Sequence, residues 1–264
     1  MVLSIRHTTR YTYTTPLSYS LQRLRLWPSQ GDSQKIVDWN IEIEGAKREL
    51  SYRDHFGNET WLLSSDDDSE AITVTATGTI DTKDTSGIAK FTAPPAPLWL
   101  FERDTDLTAI TPGLAAFRPA PDANEILSWL HDLMAALHEK MEYLPDTTVT
   151  STTASEALAA GQGVCQDYSH IFCAIARAHD IPARYVSGYL LLDDRIEQDA
   201  THAWAEAHVA GIGWIGFDAV NNVCPDQRYV RLACGLDYRD AAPISGIRLG
   251  SNEEALAVTL TVEQ

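Results

Sequence analysis

From Ser4 onward the chain returns again and again to strict alternation of polar and apolar residues, the period of a β-strand with one buried face. Ser4 to Tyr13 alternates, as do Trp39 to Glu44 and Ala71 to Thr77. Turn formers stand between these runs: Pro28-Ser29, Gly31-Asp32, Phe56-Gly57-Asn58 and Asp66-Asp67-Asp68. Short alternating runs broken by such turns predict an antiparallel, sandwich-like β domain over residues 1–110. The acidic triplet lacks the spaced ligands and glycine of a calcium loop, so it reads as a solvated turn.

Past residue 110 the texture changes. Ala93-Pro94-Pro95-Ala96-Pro97 and then Thr111-Pro112-Gly113 read as an extended crossing into a second domain, residues 111–264, that closes with a C-terminal strand. Asp122 with Glu125 predicts a capped helix start, followed by apolar residues at Ile126, Leu130, Leu133, Met134, Leu137 and Met141. Thr153 with Glu156 predicts another, ending before Gly161. After the tight turn Gly161-Gln162-Gly163-Val164, a helix from Cys165 to about Ala178 carries a buried stripe of Tyr168, Ile171, Phe172 and Ile175. Ile181-Pro182 ends it, and Ala183 to Leu192 reads as a buried strand. His202 to Val209 and Trp214 to Phe217 form a hairpin across Ala210-Gly211-Ile212-Gly213. The fold class is therefore α+β.

Charge narrows the function. With 20 Lys+Arg against 37 Asp+Glu the formal charge is −17. That excludes the basic footprint of a nucleic-acid binder and a polybasic membrane anchor. The opening residues lack an apolar signal region, and no stretch reaches the length of a membrane span. Cys165, Cys173, Cys224 and Cys234 form no CxxC pair, which predicts free thiols in a cytoplasmic protein. No metal site and no cofactor motif is expected. His131 and His138 share a helical face without a third ligand.

A thiol, an imidazole and a carboxylate are the residues with chemistry to offer. Cys165 opens a helix, where unpaired N–H groups and the macrodipole favour a thiolate. His202 shares a strand face with Trp204, Glu206 and His208, and Asp218 ends the partner strand on the face of Trp214 and Gly216. If even positions pair with even positions, Asp218 falls opposite or diagonal to His202, close enough to fix its tautomer. His208, nearer the turn, is taken as secondary. Trp204 and Trp214 flank the site as packing or as groove lining.

Several segments are together recognisable. Gly163-Val164-Cys165-Gln166-Asp167-Tyr168-Ser169-His170, Pro182 to Tyr189, Thr201-His202-Ala203-Trp204-Ala205-Glu206 and Gly213 to Asp218 resemble the bacterial transglutaminase-like family. Its members are often described as transglutaminase-like cysteine peptidases. Tyr11-Thr12-Tyr13 with Pro16, Gln22 to Pro28 and Asp54 to Asn58 resemble the family's N-terminal region, and Asp237-Tyr238-Arg239-Asp240 its tail. The resemblance implies a papain-like core with a nucleophile helix on an antiparallel sheet. It implies Cys165 as nucleophile, His202 as general base and acid, and Asp218 as the orienting carboxylate. The family's usual Asp-Pro-Thr-Asn is here Asp218-Ala219-Val220-Asn221, a change that threatens to loosen the loop carrying the carboxylate.

The expected chemistry is attack on a peptide or protein amide, giving a thioacyl-enzyme. Water as acceptor makes a peptidase or amidase, the preferred reading. An amine acceptor makes a transglutaminase-type acyltransferase, and a non-catalytic protein-binding module is the third possibility. The Cys165 backbone N–H is the natural oxyanion donor, with Gln162 a candidate side-chain donor or a simple turn residue. Cys173, Cys224 and Cys234 receive no catalytic role. The overall negative field is expected to disfavour anionic substrates. Oligomeric state is not legible, nor is the role of the β domain.

Overall fold

The computed structural model describes residues 1–15, 19–66, 69–91, 96–122, 124–193, 195–198, 200–249 and 254–264. Six strands come first: β1 (Val2–Tyr13), β2 (Tyr19–Leu24), β3 (Gln34–Glu44), β4 (Ala46–Arg53), β5 (Glu59–Ser65) and β6 (Ala71–Thr82). A 3-10 turn at Leu98–Glu102 and α1 (Pro112–Ala115) lead to α2 (Ile126–Lys140), β7 (Glu142–Tyr143), α3 (Ala154–Ala160), β8 (Gln162–Gly163) and α4 (Cys165–Arg177). The chain closes with β9 (Ala183–Leu190), β10 (Glu197–Gln198), β11 (His202–Val209), β12 (Gly213–Phe217), β13 (Tyr229–Gly235), α5 (Tyr238–Ala241), β14 (Ile244–Leu249) and β15 (Glu254–Glu263).

The alternating N-terminal runs form two antiparallel sheets, in the orders β10-β15-β1-β6-β3 and β14-β2-β5-β4. Leu3, Ile5, Ile72, Val74 and Leu260 of the first meet Leu24 and Leu63 of the second in one buried cluster, so the sheets pack as a sandwich. The expected C-terminal part of the second domain goes elsewhere. β15 pairs with β1 from Ser4 to Tyr13, and β14 pairs with β2. β1 and β2 would otherwise be sheet edges with unpaired backbone groups, and the returning chain covers them.

The second sheet system, β12-β11-β9-β13, carries α4, the helix that opens at Cys165. Every residue of β9 is buried, because α4 covers one face of the sheet and the aromatic cluster of Phe56, Phe101, Trp204 and Tyr229 covers the other. The predicted amphipathic stripe of α4 understates its burial: from Asp167 to Arg177 no residue is exposed. The buried guanidinium of Arg177 is satisfied internally. Arg177 donates to the carbonyls of Ala183 and Leu236 at 2.9 and 2.7 Å and to Thr108 Oγ1 at 2.9 Å.

Three local expectations change. Glu125 is itself the N-cap residue of α2 and bonds nothing through its side chain, while its N–H closes a turn onto the Asp122 carbonyl; the Asp122 capping box does not form. Thr111-Pro112-Gly113 is a helix start, with Pro112 in the first turn and Thr111 Oγ1 accepting from the Leu114 N–H. The strand after Pro182 stops at Leu190, and the polar segment after it contributes β10 to the edge of β15. Ala93, Pro94, Pro95, Asp67 and Asp68, which figured in the expected crossing and acidic turn, lie outside the described residues. The α3 capping box forms as predicted between Thr153 and Glu156, and Gly161 ends the helix at φ +68°.

Candidate active site

Cys165 owes its position to the turn before it. Gly161 takes the left-handed conformation, and Gly163 leaves room for a carboxylate that closes the start of α4. Asp167 Oδ2 accepts the Val164 N–H at 2.8 Å and the Thr148 hydroxyl at 2.7 Å. A Cβ on residue 163 would sit 2.6 Å from that same oxygen. Burial pushes the Asp167 carboxyl up, and the hydrogen bonds only partly oppose it. Gly163→Ala is therefore expected to cost about 1–3 kcal/mol, as overpacking at a rigid spot does, read as a lower denaturant midpoint.

β11 and β12 pair with Ala205 opposite Phe217 and Glu206 opposite Gly216, so even positions do meet even positions. One step beyond that ladder Asp218 lies diagonal to His202, and Oδ2 accepts a 2.6 Å hydrogen bond from His202 Nε2. The His202 side chain is 12% exposed and that of Asp218 1%. Burial alone would push the His202 imidazolium down. The Asp218 charge and hydrogen bond outweigh it, the Cys165 sulfur adds to them by hydrogen bond and charge, and His202 is pushed up to about 10. With Nε2 engaged by Asp218, Nδ1 is left for the thiol.

The loop after β12 holds its carboxylate without the proline and threonine of the related pattern. Asp218 Oδ1 accepts the backbone N–H groups of Val220 and Asn221 at 3.0 and 3.3 Å. Oδ2 also takes the Asn221 amide and the Tyr229 hydroxyl, each at 2.7 Å. Burial opposes ionisation of Asp218, but His202 and these donors together hold the carboxyl below its usual range. His138 Nδ1 bonds the Val220 carbonyl at 2.9 Å and ties the loop to α2.

Sequence reasoning missed Asn221, Tyr229 and His138 as supports. Only the Asn at the end of the tetrapeptide carried a signal, since it survives where its two neighbours change. Burial pushes the hydroxyls of Tyr143, Tyr185 and Tyr238 up, and the charge of the Cys165 sulfur adds to it.

The other candidates separate from the site. His208 packs edge-on against Trp214 at 5.4 Å, and Trp214 lies under the Arg184 guanidinium at 4.0 Å. Trp204 is buried beside the His202 ring and edge-on to Tyr229 as packing, whereas Trp214 also lines a cavity with Trp27, Phe56 and Arg184. His131 sits edge-on to Phe217 while His138 serves the loop; among the described residues no cluster of three or more His, Cys, Asp or Glu is placed to hold a metal ion. Cys173 and Cys224 are each pushed up to about 11 by burial. Gln162 pairs through its backbone with Glu142 in the short β7–β8 ladder.

Known proteins share this arrangement of parts. Residues 119–219 match the transglutaminase-like superfamily core, and residues 3–81 match the bacterial transglutaminase-like N-terminal region. An uncharacterized protein of Mycobacterium tuberculosis is 29% identical over 290 residues, covering 98% of this chain and 91% of the relative. An uncharacterized protein of Mycobacterium leprae is 27% identical over 276 residues, covering 98% of each. A candidate cysteine protease from Cytophaga hutchinsonii shares the fold at a TM-score of 0.65 and 20% identity, over 100% of this chain and 98% of that one. No helix among the described residues is long and apolar enough to cross a membrane.

Proposed function

We propose, for a chain that belongs to the transglutaminase-like superfamily and joins its core to the bacterial transglutaminase-like N-terminal region, thiol-dependent cleavage of peptide-like amides by Cys165, His202 and Asp218. One observation carries the reading. The imidazole that meets Cys165 is held through its other nitrogen by a buried carboxylate at 2.6 Å.

The Cys165 thiolate forms a C–S bond to the amide carbonyl, and the C–N bond breaks as His202 hands its proton to the leaving amine. Water then attacks the thioacyl group, His202 takes the water's proton, and acid and thiolate are released. Negative charge on the carbonyl oxygen is met by the Cys165 backbone N–H. Asp218 keeps the imidazole in one orientation and stabilises its cation. Hydrolysis is favoured over transfer to an amine because water is the default acceptor unless a site excludes it, and Cys165 is only half-buried. No cofactor enters the scheme, and peptide or protein amides are the partners it requires. A cytoplasmic setting is part of the reading; four free thiols support it.

Intact-mass spectrometry with a peptide-amide library tests this. A thioacyl adduct on wild type that is lost in Cys165→Ala, with free acid released whether or not a primary amine is added, is the expected result. Amine incorporation without free acid makes the protein an acyltransferase. If Cys165 is alkylated no faster than Cys224 or Cys234 at neutral pH and no peptide acylates it, a binding module replaces the enzyme.

The pH profile is a second test. His202 is raised, so its proton is present at neutral pH and is lost as pH rises through about 10. Amide cleavage is expected to hold across neutral pH and fall there. In Asp218→Ala the larger raising partner is gone and only the Cys165 sulfur still opposes burial, so the alkaline limb is expected to shift to lower pH. An alkaline limb that stays near pH 10 in the variant would separate Asp218 from His202.

A further inference from the structure

The outer face of the sheet β14-β2-β5-β4 is not all turned to solvent. On it Arg23 has Leu62 opposite on one side and Ser245 on the other, and Ile247 lies opposite Leu21. The core lays the Thr150-Ser151 turn and Tyr238-Arg239 beside this face and leaves a groove of about 550 Å³. Two links join the groove to the thiol. The Gln166 side chain, next to Cys165, donates to the Thr150 carbonyl at 3.4 Å. Tyr238, which lines the groove, packs with Cys165 against the same buried cluster, and its backbone N–H is held by Nε2 of the buried His170 at 3.0 Å.

Charge in the groove runs against that of the molecule. In a chain of net −17 its lining contains Arg23 and Arg239 and no carboxylate. Among the described residues Arg23 forms no ion pair. Arg239 meets only Asp106, at 3.3 Å between side chains 58% and 89% exposed, a contact that solvent largely screens. Ser245 Oγ is buried without a partner on the strand opposite Arg23. Leu62 and Ile247 supply apolar wall on either side.

We infer that this groove is a specificity subsite that receives an acidic side chain of the amide substrate, its carboxylate on Arg23, Arg239 and the Ser245 hydroxyl and its methylenes against Leu62 and Ile247. The inference rests on the amide-cleavage reading of Cys165. It reverses locally the expectation that the protein's negative field repels anionic substrates, because two guanidinium groups in direct contact with a carboxylate outweigh a solvent-screened Asp106 and the diffuse field of the rest of the surface.

Internally quenched hexapeptides in which Glu, Gln or Lys is scanned through each position are the test. At one position Glu is expected to exceed Gln by about fivefold in kcat/KM, mostly through KM, with Lys lower still. In Arg23→Glu/Arg239→Glu the Glu-to-Gln ratio should invert, and high salt should flatten it in wild type. Equal rates for Glu and Gln at every position, or a preference that survives the charge reversal, overturns the subsite. If wild type cleaves no peptide, the Cys165 reading fails by itself. Fluorescence anisotropy of labelled Glu peptides on Cys165→Ala then decides the groove: binding that is abolished by adding Arg23→Glu sustains it, and no charge-selective binding overturns it.

Discussion

Replacing His202 with alanine is expected to slow cleavage of a peptide amide by about 10³-fold while slowing an activated ester, such as a p-nitrophenyl ester, by only about tenfold to a hundredfold. The difference follows from the two duties proposed for one imidazole. As the charged partner of Cys165 it supports the attacking thiolate, which both substrates need. As the acid it protonates a departing amine, which the amide needs and nitrophenolate does not. The geometry leaves both duties to one ring nitrogen, Nδ1, because Nε2 is occupied by Asp218 at 2.6 Å. The variant should remain folded, because Asp218 keeps the Asn221 amide, the Tyr229 hydroxyl and two backbone N–H groups when the imidazole is gone. Parallel kinetics on the two substrates, with circular dichroism as the folding control, provide the measurement. Equal losses on amide and ester would assign His202 to thiol activation alone.

How far the residues announced this site depends on the distance over which each signal acts. Cys165 at a helix start, and the His202 and Asp218 faces, follow from local periodicity and a two-strand register, so they were legible. The fold class was legible for the same reason: β1 alternates over its whole length, and the family resemblance ordered the parts. Asn221 and Tyr229 were not read, because their role is to bond a buried carboxylate, and nothing in periodicity says where a hydroxyl eleven residues on will point. The end of the chain misled more. Strands 244–249 and 254–263 carry ordinary strand patterns, and which sheet they join is decided by open edges of β1 and β2 more than 200 residues earlier. Net charge is silent about a single groove. A net count averages over the whole surface, whereas a groove takes its sign from the few groups lining it.

Glu206 shows how much a shared strand face can conceal, and its removal should have the largest effect on stability. The sequence places it on the face of His202 and says nothing of its partners. In the fold its two oxygens are shared by Arg184 Nε at 2.6 Å and Arg231 Nε at 3.0 Å, from the strands β9 and β13, with all three side chains nearly or fully buried. Arg231 also donates to Ser29 Oγ, and its backbone exchanges bonds with the Gln34 amide, so the cluster fastens the N-terminal domain to the sheet that carries His202. Glu206→Ala leaves two guanidinium groups buried without their anion, a loss of about 3–5 kcal/mol, or roughly 10 °C in Tm for a chain of this size. Replacing all three by Met or Leu removes the desolvated charges together and is expected to cost less than the single change. The pH sign is fixed by the carboxylate. Burial opposes its ionisation, but Arg184 and Arg231 hold it below its usual range. Its contribution is therefore complete above the unfolded value near ~4.3 and is lost as pH falls through the folded one. Thermal melts of wild type, Glu206→Ala and the triple variant between acid and neutral pH check both points. A single variant as stable as wild type, or a triple variant less stable than the single, would show that the three charges are not holding the two domains together.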